Sequence, residues 1–313
     1  MTTVRPTRVV WILTIVVISG CIVASSAFAG YSRGGSFVAP GYGARAWGMG
    51  GAAVAIGSDE GATYWNPALL SLMHRGRLGF TYVDLVPGAE AQQSYLAYAR
   101  GINHGNADEP GLGFSTHSFG ILYGNLSLEL SDGQRYTENT LLAGYAYSPD
   151  YFWSVGASLG LLLSTGDLGE LEAKGTTITV GFRIELLETL TFGAVGRNLF
   201  SQIMFDSGEN YALQRSLTLG FAYRASEIFV VEADMVGAYG GVARLVLGGE
   251  AALFSNRLML RGGISAVTTG ENRSIPHLGI GVKIRRVFVD YNANFDTEEA
   301  FDKTHRFSLA IEL

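Results

Sequence analysis

Charged residues, cysteine and long apolar runs are all scarce in this sequence of 313 residues. Charged residues make up 16% of the chain, against about 25% in soluble proteins. After residue 30, no apolar run approaches the roughly 18 residues that a membrane-spanning helix requires. Acidic residues outnumber basic ones by 28 to 22, and this balance argues against nucleic acid as a partner.

Apolar and small residues are abundant instead. The chain holds 42 glycines, and hydrophobic residues make up 48% of it. These apolar residues are spread out rather than gathered into blocks. Without spanning helices, such a chain hides its apolar side chains in a core or exposes them to lipid on closed β-strands.

The first 29 residues read as a secretory signal peptide. Arg5 and Arg8 form a basic start, an apolar stretch follows from Val9 to Val23, and Ala27-Phe28-Ala29 is a small-x-small cleavage site. Two alternatives remain: an uncleaved anchor, and lipoprotein processing at the only cysteine, Cys21. Cleavage after Ala29 would remove that cysteine, so the exported chain would fold without a disulfide.

From residue 78 onward, apolar residues recur at every second position. This alternation predicts an all-β fold, a transmembrane antiparallel β-barrel of about 14 strands with large apolar residues outside and small or polar ones inside. In one predicted strand Leu213, Leu217, Leu219 and Phe221 face outward. The predicted strands span residues 78–85, 92–100, 115–130, 135–147, 152–164, 174–186, 189–199, 213–223, 227–237, 243–253, 257–266, 275–285, 286–293 and 304–313.

The connections between these strands alternate in length. Those at 148–151, 187–188, 225–226 and 255–256 are tight, whereas those at 165–173, 200–212, 267–274 and 294–303 are longer and rich in polar residues and glycine. Short periplasmic turns and longer outer loops give this rhythm in outer-membrane barrels. A soluble β-sandwich, the alternative, shows similar strand alternation but has no reason for alternating connections.

Residues 30–77 differ from the rest, because they are rich in glycine and alanine and do not alternate. Asn66 is a favoured N-cap and Pro67 a favoured first helical residue, so we predict a short helix from Pro67 to His74. The ten residues that carry a family motif also lie here: Gly43, Arg45, Gly48, Gly50, Gly51, Tyr64, Trp65, Asn66, Pro67 and Ala68.

This motif, with Gly-Ala-Arg and Gly-Met-Gly-Gly-Ala at its start and Tyr-Trp-Asn-Pro-Ala at its end, resembles the N-terminal signature of the PorV/PorQ family. That family is related to the FadL-type long-chain fatty-acid transporters. After the signal peptide at 1–29, the resemblance implies a plug at 30–77 inside a transmembrane barrel at 78–313. A flexible periplasmic linker is the alternative reading of 30–77.

The resemblance implies a monomeric protein in outer-membrane lipid that moves or presents cargo. FadL-type relatives pass hydrophobic small molecules through a plugged lumen, whereas PorV-type relatives bind secreted proteins in type IX secretion. A purely structural barrel is a third possibility. The terminal Leu313 departs from the aromatic residue that ends many such barrels.

Three patterns that imitate enzyme motifs carry no chemistry. Residues 156–160 fit the Gly-x-Ser-x-Gly pattern, but Ser158 lies mid-strand and not at a strand-to-helix turn. Residues 48–53 imitate a dinucleotide fingerprint but follow no strand. The five histidines have no metal-ligand spacing. We therefore expect no enzyme activity, no catalytic residue, no cofactor and no metal.

Charged residues at inward positions of the predicted strands are the remaining candidates. Strand order brings Glu232 and Asp234 beside the strand of Arg244, and Glu250 beside that of Arg261. Such charges hold the plug in register or simply solvate the lumen. Arg45, Asp59 and Glu60 are their candidate partners on the plug. The full inward set is Arg183, Glu185, Arg197, Glu232, Asp234, Arg244, Glu250, Arg261, Lys283 and Asp290.

Overall fold

The computed structural model describes residues 41–57, 59–85, 91–104, 115–129, 133–167, 172–238, 241–268, 273–295 and 304–313. The predicted signal peptide and the first part of the predicted plug lie outside these ranges. Residues 41–73, here called the inner segment, contain three short helical elements. These are α1 (Ala44–Gly48), α2 (Ala62–Trp65) and a 3-10 helix (Pro67–Leu72).

The remaining described residues are mostly strands. In chain order the strands are β1 (Arg77–Asp84), β2 (Ala91–His104), β3 (Ser115–Glu129), β4 (Arg135–Tyr147), β5 (Trp153–Gly166), β6 (Ala173–Leu187), β7 (Leu190–Arg197), β8 (Gln202–Phe205), β9 (Asn210–Tyr211), β10 (Ser216–Arg224), β11 (Phe229–Ala238), β12 (Gly241–Leu253), β13 (Leu258–Val267), β14 (Arg273–Ile284), β15 (Val287–Asn294) and β16 (His305–Glu312).

Fourteen of the 16 strands described form a closed antiparallel barrel, as predicted. The first strand pairs with the last, from Arg77 opposite Glu312 to Asp84 opposite His305. The circle is completed where β5 pairs with β6. The other two strands, β8 and β9, form a small hairpin that attaches to the end of β6. Each predicted barrel strand overlaps an observed one.

Side chains alternate between the two faces of the wall. On β5, the outward Leu159 and Leu161 are 51% and 48% exposed, whereas the inward Ser158 is 5% exposed. The pleat of a strand enforces this alternation, since successive side chains point to opposite faces. The wall therefore presents large apolar residues outside and small or polar ones inside, which confirms the predicted orientation of the side chains.

The connections differ at the two ends of the barrel. At one end, here called the turn end, the described connections are short, as at 188–189 and 285–286. The first residue of β1 and the last residue of β16 also lie at this end. At the other end, here called the loop end, the connection at 198–215 carries the β8–β9 hairpin. No helix in the described ranges is long and apolar enough to cross a membrane.

Three local predictions differ from the structure. The helix expected from Pro67 to His74 is a 3-10 helix ending at Leu72. The hairpin at 202–211 replaces part of a predicted loop. Leu213, expected to face outward, is 5% exposed and packs with Leu162 and Ile203. Because β10 begins only at Ser216, residue 213 lies outside its alternation, and its N–H bonds instead to Ser201 Oγ at 2.9 Å.

Candidate functional site

The inner segment lies inside the barrel. Its Ala44 N–H donates to Ser308 Oγ on β16 at 2.8 Å, and its Ala68 carbonyl accepts from Ser154 Oγ on β5 at 3.0 Å. The strands β5 and β16 lie on different arcs of the closed sheet. Ser154 is fully buried on the inward face of its strand. A segment that reaches inward residues on separate arcs occupies the lumen between them.

Ion pairs attach the first part of the inner segment to one arc of the wall. Arg45 Nε lies 3.1 Å from Glu250 Oε2, and Arg45 Nη1 lies 3.2 Å from Asp59 within the same segment. Glu250 also pairs with Arg261 on β13 at 2.6 Å, and Arg261 pairs with Asp290 on β15 at 2.6 Å. The neighbouring carboxylates raise the pKa of Arg45 above its ordinary value. The result is a chain of alternating charges that crosses from segment to wall.

Two carboxylates on β11 hold the backbone of the inner segment. Glu232 Oε1 accepts hydrogen bonds from the N–H groups of Val54 at 2.7 Å and Ala55 at 2.6 Å. Asp234 Oδ2 accepts from the N–H of Ala53 at 3.2 Å. Residues 53–55 are in neither helix nor strand, so their buried N–H groups need acceptors from elsewhere. The acidic pair supplies these acceptors.

Glycines allow the segment and the wall to approach closely. Gly50 and Gly51 have φ values of 76° and 89°, a left-handed conformation that glycine adopts without steric cost. A Cβ atom on Gly48 would lie 3.1 Å from the Cα of Gly279 on β14. A larger residue in place of Gly48 or Gly279 would push the inner segment and the wall apart.

Asn66 organises the second part of the inner segment. Its Oδ1 accepts from the N–H of Ala68 at 3.0 Å, which caps the 3-10 helix that Pro67 begins. Its side-chain amide donates to the carbonyls of Val54 at 2.7 Å and of Phe182 on β6 at 3.1 Å. One fully buried side chain therefore joins both parts of the segment and the wall.

Arginines of the wall contact aromatic residues of the inner segment. Arg197 on β7 donates to the carbonyls of Tyr64 at 2.7 Å and Trp65 at 3.3 Å, and its guanidinium lies 4.6 Å from the centre of the Tyr64 ring. Arg306 and Arg244 lie 4.3 and 6.0 Å from the centre of the Trp47 ring. Cations over aromatic faces are stabilised by the ring quadrupole. Arg306 was not predicted as a site residue.

Arg77 is a second residue that the sequence prediction missed. Its Nε lies 2.6 Å from Glu60 Oε2, and Glu60 Oε1 accepts from the hydroxyl of Tyr42 at 2.7 Å. Burial raises the pKa of the Glu60 carboxyl, against the opposing effect of Arg77. The predicted first strand began at residue 78, so Arg77 fell outside the alternation. If that strand begins one residue earlier, alternation places Arg77 on the inward face, as it does Gly79 and Thr81.

The structure places the predicted wall charges on inward positions but connects only some of them to the inner segment. Arg183 pairs with Glu185 on its own strand, and Lys283 lies over the Phe288 ring at 4.7 Å. Asp59, a predicted partner for the wall, pairs with Arg45 within the segment. Predicted residues that contact the segment directly are Arg197, Glu232, Asp234, Arg244 and Glu250.

Two cavities beside the inner segment are small. One cavity lined by Arg45, Met49, Ile56 and Leu69 has a volume of about 10 Å³, and one lined by Tyr42, Glu60 and Asp290 about 20 Å³. Holding one water requires about 10–15 Å³ by this measure. At these two places the segment leaves room for a water molecule but not for an organic substrate.

Solved transporter structures resemble this barrel over most of its length. The toluene transporter TodX of Pseudomonas putida is 16% identical with a TM-score of 0.63, covering 87% of this chain and 99% of TodX. The monoaromatic hydrocarbon channel CymD is 14% identical with a TM-score of 0.64, covering 90% and 99%. A FadL homologue of Pseudomonas aeruginosa is 11% identical with a TM-score of 0.60, covering 90% and 99%.

At these identities the likeness shows a shared fold. No protein-family model matches the chain, and no curated protein matches it. The FadL-like architecture implied by the sequence motif is therefore confirmed as a fold, whereas membership of the PorV/PorQ family stays a prediction.

Proposed function

We propose that this chain is an outer-membrane β-barrel that moves small hydrophobic molecules through its lumen. The outward apolar band is what a lipid-embedded wall requires. The hydrocarbon transporters with this fold supply the cargo class: TodX is a toluene transporter and CymD a monoaromatic hydrocarbon channel. In this proposal residues 1–29 direct export and are removed, residues 30–77 are the plug, and residues 78–313 are the wall.

One observation carries the proposal: a closed wall encloses a segment that is not part of its hydrogen-bonded ladder. Residues 53–55 bond to carboxylate side chains of β11 rather than to a neighbouring strand. Such contacts can break while the backbone pairing of every wall strand stays intact. At the two cavities beside it the inner segment leaves no room for an organic molecule, and in this proposal the segment shifts during transport.

A disulfide that ties the inner segment to the wall tests this proposal. Ala44 and Ser308 are in direct contact, with 2.8 Å between the Ala44 nitrogen and Ser308 Oγ, so cysteines at both positions are close enough to pair. Gram-negative cells expressing the double variant Ala44→Cys/Ser308→Cys would be assayed for uptake of the apolar dye 1-N-phenylnaphthylamine. Loss of free thiol would verify the bond.

We expect dye uptake above the empty host under reducing conditions, a fall to the host level on oxidation, and recovery with dithiothreitol. The single variant Ser308→Cys is the matched control and should not respond to oxidant. Uptake no higher than in the empty host, or equal uptake with the disulfide open and closed, would contradict transport through a moving inner segment.

A further inference from the structure

Three arginines at the turn end of the barrel have no assigned role. Arg257 lies in the turn between β12 and β13, and Arg285 and Arg286 form the turn between β14 and β15. All three are exposed. Among the residues that the structure describes, none of the three side chains has an ion-pair or hydrogen-bond partner. Exposed guanidinium groups without partners are available to a ligand outside the chain.

Backbone hydrogen bonds hold these turns next to each other. The N–H of Lys283 donates to the Arg257 carbonyl at 2.9 Å, and the N–H of Glu312 donates to the Arg286 carbonyl at 2.8 Å. Glu312 is itself paired with Arg75 at 2.9 Å, so its negative charge is already matched. Arg257, Arg285 and Arg286, here called the basic rim, therefore lie on neighbouring turns.

The backbone at Arg285 is in an uncommon conformation. Its φ is 55°, a left-handed value that is sparsely populated by residues other than glycine, asparagine and aspartate. A two-residue turn normally places one of those residues at such a position. At Arg285 the turn instead holds a bulky cationic residue in a conformation that costs it free energy.

The basic rim borders the apolar outer band. Phe254, Ile284 and Leu313 stand at the same end of the barrel and are 74%, 63% and 59% exposed. Where a membrane protein passes from the acyl chains to the lipid phosphates, large exposed apolar side chains are expected next to cationic ones. In a membrane, the rim would therefore lie at the height of a phospholipid headgroup.

The opposite arc of the same end has the reverse charge. The turn between β4 and β5 carries Asp150, and the hairpin of β6 and β7 carries Glu185 and Glu188. Two cations are nearby: Arg183, which is paired with Glu185, and Arg224 at the end of β10, whose N–H donates to the Thr189 carbonyl at 2.8 Å. Among the described residues of this arc, carboxylates therefore outnumber cations, in contrast to the basic rim.

We propose that the basic rim binds the phosphate of an anionic phospholipid in the adjacent membrane leaflet, with the acyl chains lying against the apolar band. This inference rests on the proposed membrane location. Guanidinium groups bind phosphate oxygens through two parallel hydrogen bonds, and clustered arginines beside a membrane attract anionic headgroups. The bound lipid orients this arc of the barrel in the leaflet.

The test compares two triple variants of the full chain in lipid vesicles. Arg257→Gln/Arg285→Gln/Arg286→Gln removes the basic rim. Its control, Arg135→Gln/Lys174→Gln/Arg215→Gln, removes three charges at the loop end. Each protein is reconstituted in phosphatidylcholine with a small fraction of phosphatidylglycerol, and the lipids retained after extraction are counted by native mass spectrometry. Heat-dependent gel mobility in phosphatidylcholine alone reports insertion.

We expect the parent and the control variant to retain phosphatidylglycerol preferentially, and the rim variant to lose that preference by about tenfold or more. The lipid site would be overturned if the parent inserts but shows no preference for phosphatidylglycerol, or if both variants lose that preference equally. Either result would leave the proposed membrane location intact. Failure of the parent to insert would contradict the location and the lipid site together.

Discussion

In the wall, neighbouring strands are bonded through paired backbone groups, for example over eight successive positions between β1 and β16. The inner segment has a different kind of attachment. Where its backbone is joined to the wall, the N–H groups of Ala44, Ala53 and Val54 bond to the side chains of Ser308, Asp234 and Glu232. The wall satisfies its own backbone, whereas the segment depends on individual wall side chains. The wall is therefore expected to be stable alone, and the segment to be sensitive to single substitutions.

The two parts of the inner segment also differ from each other. Residues 44–55 carry charged contacts, from Arg45 to Glu250 and from the acidic pair on β11. Residues 66–68 are held by uncharged contacts, among them the close approach of Gly156, where a Cβ atom would lie 2.5 Å from the carbonyl carbon of Pro67. Wall glycines also approach the first part closely, since a Cβ atom on Gly263 would lie 2.3 Å from the carbonyl carbon of Met49. The two parts therefore differ in charge and not in how closely they approach the wall.

The largest effect is expected from a charge placed on the lipid face of the wall. Val180 on β6 faces outward and is 44% exposed. Val180→Arg should lower the free energy of unfolding by about 2–4 kcal/mol, because the membrane interior does not solvate the guanidinium. Tyr223→Arg, also outward but beside the turn end, should cost about 0–1 kcal/mol. Urea unfolding in lipid vesicles measures both, and equal costs would refute the assigned lipid face.

A smaller and local effect is expected at the acidic pair. Glu232→Ala leaves two buried N–H groups without acceptors and should lower the local stability of residues 53–55 by about 2 kcal/mol. Glu232→Gln keeps an acceptor oxygen and is the matched control. Hydrogen exchange at the amides of Val54 and Ala55 measures the difference. Unchanged exchange in the alanine variant would show that Glu232 does not hold the segment.

The last effect, of similar size, concerns the packed part of the segment. Gly156→Val inserts a side chain against Pro67 and should cost about 1–3 kcal/mol through overpacking. Gly262→Val is the control, because nothing lies within 4 Å of a Cβ at that position. We expect protease cleavage between residues 60 and 73 in the first variant only. If both variants resist protease equally, the close approach of Gly156 and Pro67 has no role in seating the segment.

The wall could be predicted from the sequence because a period of two over ten residues fixes both strand and face. The inner segment could be recognised by its motif, but its contacts could not be derived. Its two short α-helices carry no amphipathic pattern, and Ser154 and Ser308 have no feature that distinguishes them from other inward serines. The β8–β9 hairpin was missed because strands of four and two residues are too short to show alternation.

Deleting residues 43–75 tests the central claim most directly, that a self-sufficient wall encloses a separable segment. The account predicts that the deleted chain still migrates as a heat-modifiable barrel and that its conductance in planar bilayers rises above that of the parent. Loss of the folded barrel would make the segment part of the structural core. A folded barrel with unchanged conductance would contradict the claim that the segment closes the lumen.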